Sequence, residues 1–251
     1  MAERDLLAVL EEASAAVRAA LSALPDWGPA GTIAGQYHSD LAADAAAIAV
    51  LEGAGLGVLS EESGLHHPER ALLAVLDPLD GSTNASRGVP WYATSICVLD
   101  GEGPFAALVV DQARGTSYRA TRGGGATRDG APIGPSGTER LGEAVVGLAG
   151  YPARYLGWRQ FRAFGAAALD LCLVADGALD AYLDVSSAAH GPWDYLAGML
   201  VCTEAGAVVG EREGRDLVVR EHGPRRAPLA AATPALAAEL RAAVAGPSGA
   251  R

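Results

Sequence analysis

The residues best suited to chemistry fall in one stretch, Asp77-Pro78-Leu79-Asp80-Gly81-Ser82-Thr83-Asn84, directly after the apolar run Ala71-Leu72-Leu73-Ala74-Val75-Leu76. Carboxylates at the end of a buried strand lose their hydration unless a cation or hydrogen-bond donors replace it. Pro78 is expected to stop the strand, because it fixes φ and brings no N–H to a ladder. Gly81 permits a turn that a Cβ would obstruct. Ser82, Thr83 and Asn84 are good N-cap residues, so a short helix is predicted there, its free N–H groups facing the acids. Hard oxygen ligands beside an anion-binding helix start suit metal-assisted phosphate chemistry. The bland alternative is an Asp-Gly hairpin turn. Two acids, a proline, a glycine and three capping residues packed into this stretch favour a site.

Further acids occupy similar settings. Glu61, in Ser60-Glu61-Glu62-Ser63-Gly64, follows the predicted strand 58–60, and Asp194 follows Trp193 at a predicted helix start. Alone, Asp194 is an ordinary early-helix acid. Together with Glu61, Asp77 and Asp80 it completes a carboxylate set able to hold two cations that polarise phosphoryl oxygens and acidify water. Oxygen ligands without ligand-spaced His or Cys point to Mg²⁺ or Mn²⁺, not zinc.

These stretches, with Trp193-Asp194-Tyr195-Leu196-Ala197-Gly198, residues 165–177 and Asp180-Ala181-Tyr182, resemble the inositol monophosphatase family of Mg²⁺-dependent, often lithium-sensitive phosphatases. The resemblance implies that Glu61, Asp77, the carbonyl of Leu79, Asp80 and Asp194 hold the metals. It implies that the backbone of Gly81 and Ser82 binds phosphate, and that Ser82 polarises the attacking water with help from Glu61 and Asp40, without a phospho-enzyme. Asp184, near the position of an acid that reads sugar hydroxyls, would contact substrate together with Asp194. The expected activity is phosphomonoester hydrolysis on a small polyol or sugar phosphate, with inositol monophosphate as the first choice. Histidinol phosphate, fructose bisphosphate and 3′-phosphoadenosine nucleotides are the alternatives. A non-catalytic metal- or phosphate-binding regulator is a further alternative, but such a module has no use for Ser82 as a water activator. A haloacid-dehalogenase-type phosphatase fits less well, because its paired acids are spaced more closely than Asp77 and Asp80. The chain departs from the family pattern by having no Lys in residues 31–38, Ala85 after Asn84, and Ala166 in the substrate wall. Relatives are commonly dimers, so a homodimer is expected.

The elements that must position these residues read as alternating helices and strands. Helices are predicted over 6–24, ended by Pro25, and from caps at Ser39-Asp40 to residue 51. Strands are predicted over 92–99, 105–110 and 116–120, with Gly123-Gly124-Gly125 as a hairpin turn. A boundary at 132–137 divides an N-terminal α/β subdomain (1–134) from a C-terminal one (135–251). The second half predicts a strand at 144–148 and Ala-rich helices over 159–176. A strand at 178–183 ends at Asp184, and a helix from His190 runs to residue 205. Strands at 208–209, 217–219 and 229–231 and a helix at 234–244 close the chain, before a frayed tail. The order suggests an α/β fold of the sugar-phosphatase type, a layered α/β/α/β/α sandwich. His190 is read as a loop cap in preference to a substrate contact. Arg154 and Arg159 are read as a solvated helix face, and Arg162 is open to either use.

Composition narrows the rest. The 251 residues carry a formal charge of −11, which argues against a nucleic-acid surface. Cys97, Cys172 and Cys202 have no C-x-x-C spacing and read as small core residues in a reducing compartment. With an acidic N-terminus and no apolar run of spanning length, the expected location is the cytoplasm, with no membrane partner.

Overall fold

The computed structural model describes residues 3–31, 36–186 and 190–246. The first half comprises α1 (Glu3–Ala23), α2 (His38–Gly53), β1 (Gly57–Ser60), β2 (Gly64–His66), β3 (Leu73–Asp80), the short α3 (Ser82–Ser86), β4 (Ala93–Asp100), β5 (Gly103–Asp111), β6 (Ser117–Thr121), β7 (Gly125–Arg128) and β8 (Ala131–Pro132). The second comprises β9 (Val145–Ala149), β10 (Gln160–Arg162), α4 (Ala167–Ala175), β11 (Ala181–Asp184), α5 (Pro192–Ala205), β12 (Val208–Glu211), β13 (Pro228–Ala231) and α6 (Pro234–Ala245). The strands form an 8-stranded sheet ordered β2-β1-β3-β4-β5-β6-β7-β8 and a 5-stranded sheet ordered β10-β9-β11-β13-β12.

Hydrophobic spacing explains the layering. Leu6, Leu10, Ala13, Val17 and Leu21 recur on one face of α1 and pack, with Ala43, Ala47 and Leu51 of α2, on the outer face of the larger sheet. On that sheet's inner face, Val75, Cys97 and Val109 meet α4 and α5, which in turn meet Tyr182 and Ala230 of the smaller sheet. The far face of the smaller sheet, including Val146, Leu148 and Leu229, is covered by Leu236 and Leu240 of α6. The result is the layered α/β/α/β/α sandwich, with α4 and α5 buried between the sheets. Gly198 lets those two helices approach, since a Cβ there would lie 2.7 Å from Cβ of Leu171. The three cysteines are free and buried, as core residues should be. Among the described residues, no helix is long and apolar enough to cross a membrane.

Several local expectations are corrected. Strand β3 does not stop at Pro78 but runs on to Asp80. The register slips between Asp77, opposite Ser95, and Asp80, opposite Ala93. An irregularity of this kind removes the need for the N–H that proline lacks. Ser39 and Asp40 are not the caps of α2: Tyr37 is the N-cap, and Asp40 accepts its N–H at 2.8 Å from the third helical position. Helix α3 is capped by Gly81, with Ser82 its first residue. Residues 159–166 are not helical; β10 pairs in parallel with β9 there, and α4 begins only at Ala167. Arg154, Arg159 and Arg162 therefore sit on a loop and an edge strand, and all three are exposed. Residues 217–219 form no strand; Leu217 and Val219 are buried without a ladder, and Leu217 accepts the Tyr195 hydroxyl at 2.8 Å through its carbonyl. The expected tail lies outside the described residues from 247 onward.

Candidate active site

Parallel pairing brings the first two acids together. β1 and β3 run in register with Ser60 beside Leu76, so the next residues, Glu61 and Asp77, are neighbours where β1 ends beside β3. The Glu61 N–H donates to the Leu76 carbonyl at 3.1 Å. Asp194 arrives from the first turn of α5, where its Oδ2 accepts the Gly191 N–H at 2.7 Å. The Trp193 carbonyl is pinned by the Ser95 hydroxyl at 2.9 Å, on the strand opposite Asp77. One carboxylate oxygen each from Glu61, Asp77 and Asp194 then lie within 4.8 Å of one another. Asp80 is beside this triad, buried, and its Oδ2 is committed to the Ala168 N–H at 2.7 Å. Leu79 sits in the slipped segment between the two aspartates, its N–H donating to Asp77 Oδ1 at 2.9 Å.

The electrostatics are those of crowded, buried acids. Burial pushes Glu61 up to about 9, with further upward pressure from Asp194, Glu62, Asp80 and Asp40. Asp77 and Asp80 are also raised well above the carboxylate range, by burial first and then by neighbouring acids. Charges crowded in this way stay ionised only beside a compensating positive charge. The donor set consists of hard oxygens and fits Mg²⁺ or Mn²⁺.

Asp40 and Ser82 face each other next to this cluster. Burial raises Asp40 to about 7, while the Tyr37 N–H and the neighbouring Ser82 favour its charged form. Its Oδ1 is buried and has no hydrogen-bond partner. Gly81 adopts φ +86°, and a Cβ there would come to 3.0 Å from the Trp91 carbonyl oxygen and 3.2 Å from Cβ of Ala166. The turn that presents Ser82 thus needs glycine for both conformation and space. Asn84 locks it from the other side, donating to the carbonyls of Trp91 at 2.9 Å and Phe164 at 2.8 Å.

On the opposite flank, Asp184 ends β11 fully buried, with Oδ1 accepting from Ser186 and Oδ2 accepting no hydrogen bond among the described residues. His190 bridges this flank to the triad: its ring lies 3.7 Å from Asp184 Oδ2, 3.3 Å from Asp194 Oδ2 and 3.0 Å from the Tyr182 hydroxyl. Burial works against a charged imidazole, but Asp194, Asp184 and Asp80 outweigh it and lift His190 to about 9. His190 is therefore more than a loop cap. Arg162, by contrast, donates to the Gln160 side chain and to the Phe161 carbonyl of its own strand. Sequence reasoning also missed His222, which donates to the Glu61 carbonyl, and Asp170, which accepts the Trp91 indole N–H at 2.9 Å. Neither carries a local signal, since each acts only through a residue distant in the chain.

Comparison with known proteins places this geometry. The inositol monophosphatase family profile matches residues 40–245. The chain belongs to the inositol monophosphatase family. It is 34% identical over 227 residues to a protein of Archaeoglobus fulgidus named fructose-1,6-bisphosphatase/inositol-1-monophosphatase, covering 86% of this chain and 88% of that one. It is also 34% identical to the Nus factor SuhB of Xylella fastidiosa, over 64% of this chain and 62% of that protein. Among solved structures, inositol monophosphatase from Anabaena superposes with a TM-score of 0.80 at 26% identity, covering 96% of both chains. The suppressor protein suhB of Bartonella henselae gives 0.82 at 26% identity, over 96% of this chain and 98% of that one. Family membership and the acidic triad together support a hydrolase of small phosphate esters that uses a divalent cation.

Proposed function

We propose that this inositol monophosphatase family member hydrolyses a small polyol or sugar phosphomonoester, with inositol monophosphate as the first candidate substrate. The observation that carries this is the convergence of Glu61, Asp77 and Asp194 beside the Asp40–Ser82 pair. In this proposal Glu61, Asp77, the Leu79 carbonyl, Asp80 and Asp194 hold Mg²⁺, or Mn²⁺ in its place. The ion supplies positive charge against the phosphoryl oxygens and acidifies water. The backbone at Gly81 and Ser82 receives the phosphate. Ser82 orients the attacking water, and the unpartnered Oδ1 of Asp40, on a carboxyl poised near neutrality, accepts a hydrogen from that arrangement. Asp184 Oδ2, which accepts no hydrogen bond and faces the His190 ring at 3.7 Å, accepts a hydroxyl of the leaving alcohol, with Asp194 alongside.

Fructose bisphosphate is the second reading, favoured by the double name of the Archaeoglobus relative. A homodimer is part of the proposal. Tyr151, Tyr155 and Phe161 are 88%, 66% and 50% exposed, and they line one cavity of about 540 Å³ beside the free edge of β10. Rings on such a surface give a second copy apolar area to cover, and light scattering at micromolar concentration should report twice the monomer mass.

The deciding experiment is phosphate release from inositol, sugar and nucleotide monoesters, with and without Mg²⁺. Mg²⁺-dependent release, fastest from a polyol phosphate, is expected. Binding of Mg²⁺ and phosphate with no turnover of any ester would replace the catalytic reading with a regulatory one.

A further inference from the structure

Residues 212–227, which connect β12 to β13, contain no helix or strand of their own, yet they touch Glu61, Trp193 and His190 around the acid triad. His222 Nε2 lies 2.8 Å from the carbonyl oxygen of Glu61, a contact between residues 161 apart in sequence. A carbonyl only accepts, so Nε2 carries the hydrogen. The His222 ring stacks on Trp193 at 4.6 Å between centroids and a 36° tilt. The Arg225 guanidinium lies 4.9 Å from the centre of the same indole. Its Nη1 also donates to the carbonyls of His222 at 2.6 Å and Gly223 at 3.1 Å, which closes the turn carrying the histidine. Finally, Arg226 and His190 exchange backbone hydrogen bonds, 2.9 Å and 3.3 Å long.

Each target is at the triad or one step from it. Glu61 is a member, Trp193 precedes Asp194, and His190 contacts the Asp194 carboxylate. Glu61 has particular need of such support. Its carboxylate accepts no hydrogen bond among the described residues, and the neighbouring acids repel it. Its place is therefore set through its main chain, by the N–H on Leu76 and the carbonyl on His222. The first bond ties it to Asp77's strand. The second ties it, through the Trp193 stack, to Asp194's helix.

We propose that His222, seated on Trp193 and braced by Arg225, is a positioning residue that holds Glu61 at the correct distance from Asp194 and so sets the affinity for the divalent cation. The proposal rests on the triad being a divalent-cation site. Supporting groups around metal ligands commonly account for 10- to 100-fold in affinity.

The test is Mn²⁺ titration by calorimetry of the full chain, together with Mg²⁺-activation curves for phosphate release. His222 is exposed, so its replacement is expected to leave the fold intact, which circular dichroism checks. His222→Ala should weaken Mn²⁺ binding about tenfold and raise the Mg²⁺ needed for half-activation by a similar factor, with KM for the ester at saturating Mg²⁺ nearly unchanged. His222→Gln, which keeps an N–H donor, should restore affinity to within about threefold of wild type. Arg225→Ala should give an intermediate loss. Wild-type affinity in His222→Ala, or equal losses in the Ala and Gln variants, would overturn the positioning role alone. A wild type that binds no Mn²⁺, with Asp77→Asn no different, would overturn the triad reading and this proposal with it.

Discussion

Glu61 and Glu211 are both glutamates at strand ends, and the chain treats them in opposite ways. Glu211, which ends β12, accepts Arg215 at Oε1 through Nε at 3.1 Å and Nη2 at 2.5 Å. It also accepts the backbone N–H groups of Glu213 at 2.6 Å, Arg215 at 3.2 Å and Ala227 at 3.1 Å. Burial works against its charge, but Arg215 and these donors outweigh it and bring the pKa down to about 2. Glu61 meets acids where Glu211 meets donors, and rises to about 9. A buried carboxylate supplied with its own donors is a structural brace. One left without them, among other acids, keeps a place for positive charge from outside the chain.

The largest expected effect is at Asp77, the neighbour of Glu61 in the triad. Asp77→Asn should lower kcat on the order of 10³-fold at saturating Mg²⁺, measured as phosphate release. Ser82→Ala leaves the acids in place and removes only the hydroxyl beside Asp40. It should lower kcat by about 10²–10³-fold with KM little changed, and a retained rate with lost affinity would make Ser82 a binding residue.

Stability sharpens the contrast because the signs should differ. Glu211→Gln should cost about 2 kcal/mol in urea unfolding, since charge-assisted hydrogen bonds at a buried site are lost. Asp77→Asn in EDTA should be neutral or stabilising, because it relieves repulsion. Destabilisation by both would mean that the triad is braced as Glu211 is.

The pH dependence of the metal-free protein carries the same signs with a smaller effect. Asp40 and Asp170 are each raised by burial to about 7. A raised acid contributes stability that is complete below its unfolded pKa near 4 and is lost as pH rises through 7. Glu211, lowered to about 2, contributes stability that is present above about 4.5 and lost as pH falls through 2. Urea midpoints in EDTA should therefore be highest near pH 4, where the two windows meet, and fall from there to pH 8, and Mg²⁺ should lift the alkaline side selectively. A midpoint that rises steadily from pH 5 to 8 without metal would contradict the raised values.

Much of the site was legible as local pattern. Gly81 at a turn and Asp194 in a first helical turn lie where spacing placed them, whereas Asp77 and Asp80, read as following a strand, are its last residues together with Pro78 and Leu79. Local pattern misled where long-range pairing decided the outcome. Pro78 reads as a strand stop, yet β4 keeps β3 paired on both sides of it. Residues 159–166 have helical composition, yet pairing with β9 draws 160–162 into a sheet.

By itself, then, the sequence determined which acids follow apolar runs or open a helix, which segments are amphipathic, and which glycine can make the turn before Ser82. These are consequences of residue type and periodicity over a few positions. Only the tertiary structure decided that Glu61 lies beside Asp77, that Asp194 joins them from a buried helix, and that His222 holds Glu61 from a loop far along the chain. Those juxtapositions follow from parallel register and from burying whole sheet faces on α4 and α5. Both are energies summed over distant residues, and no short window of sequence contains them.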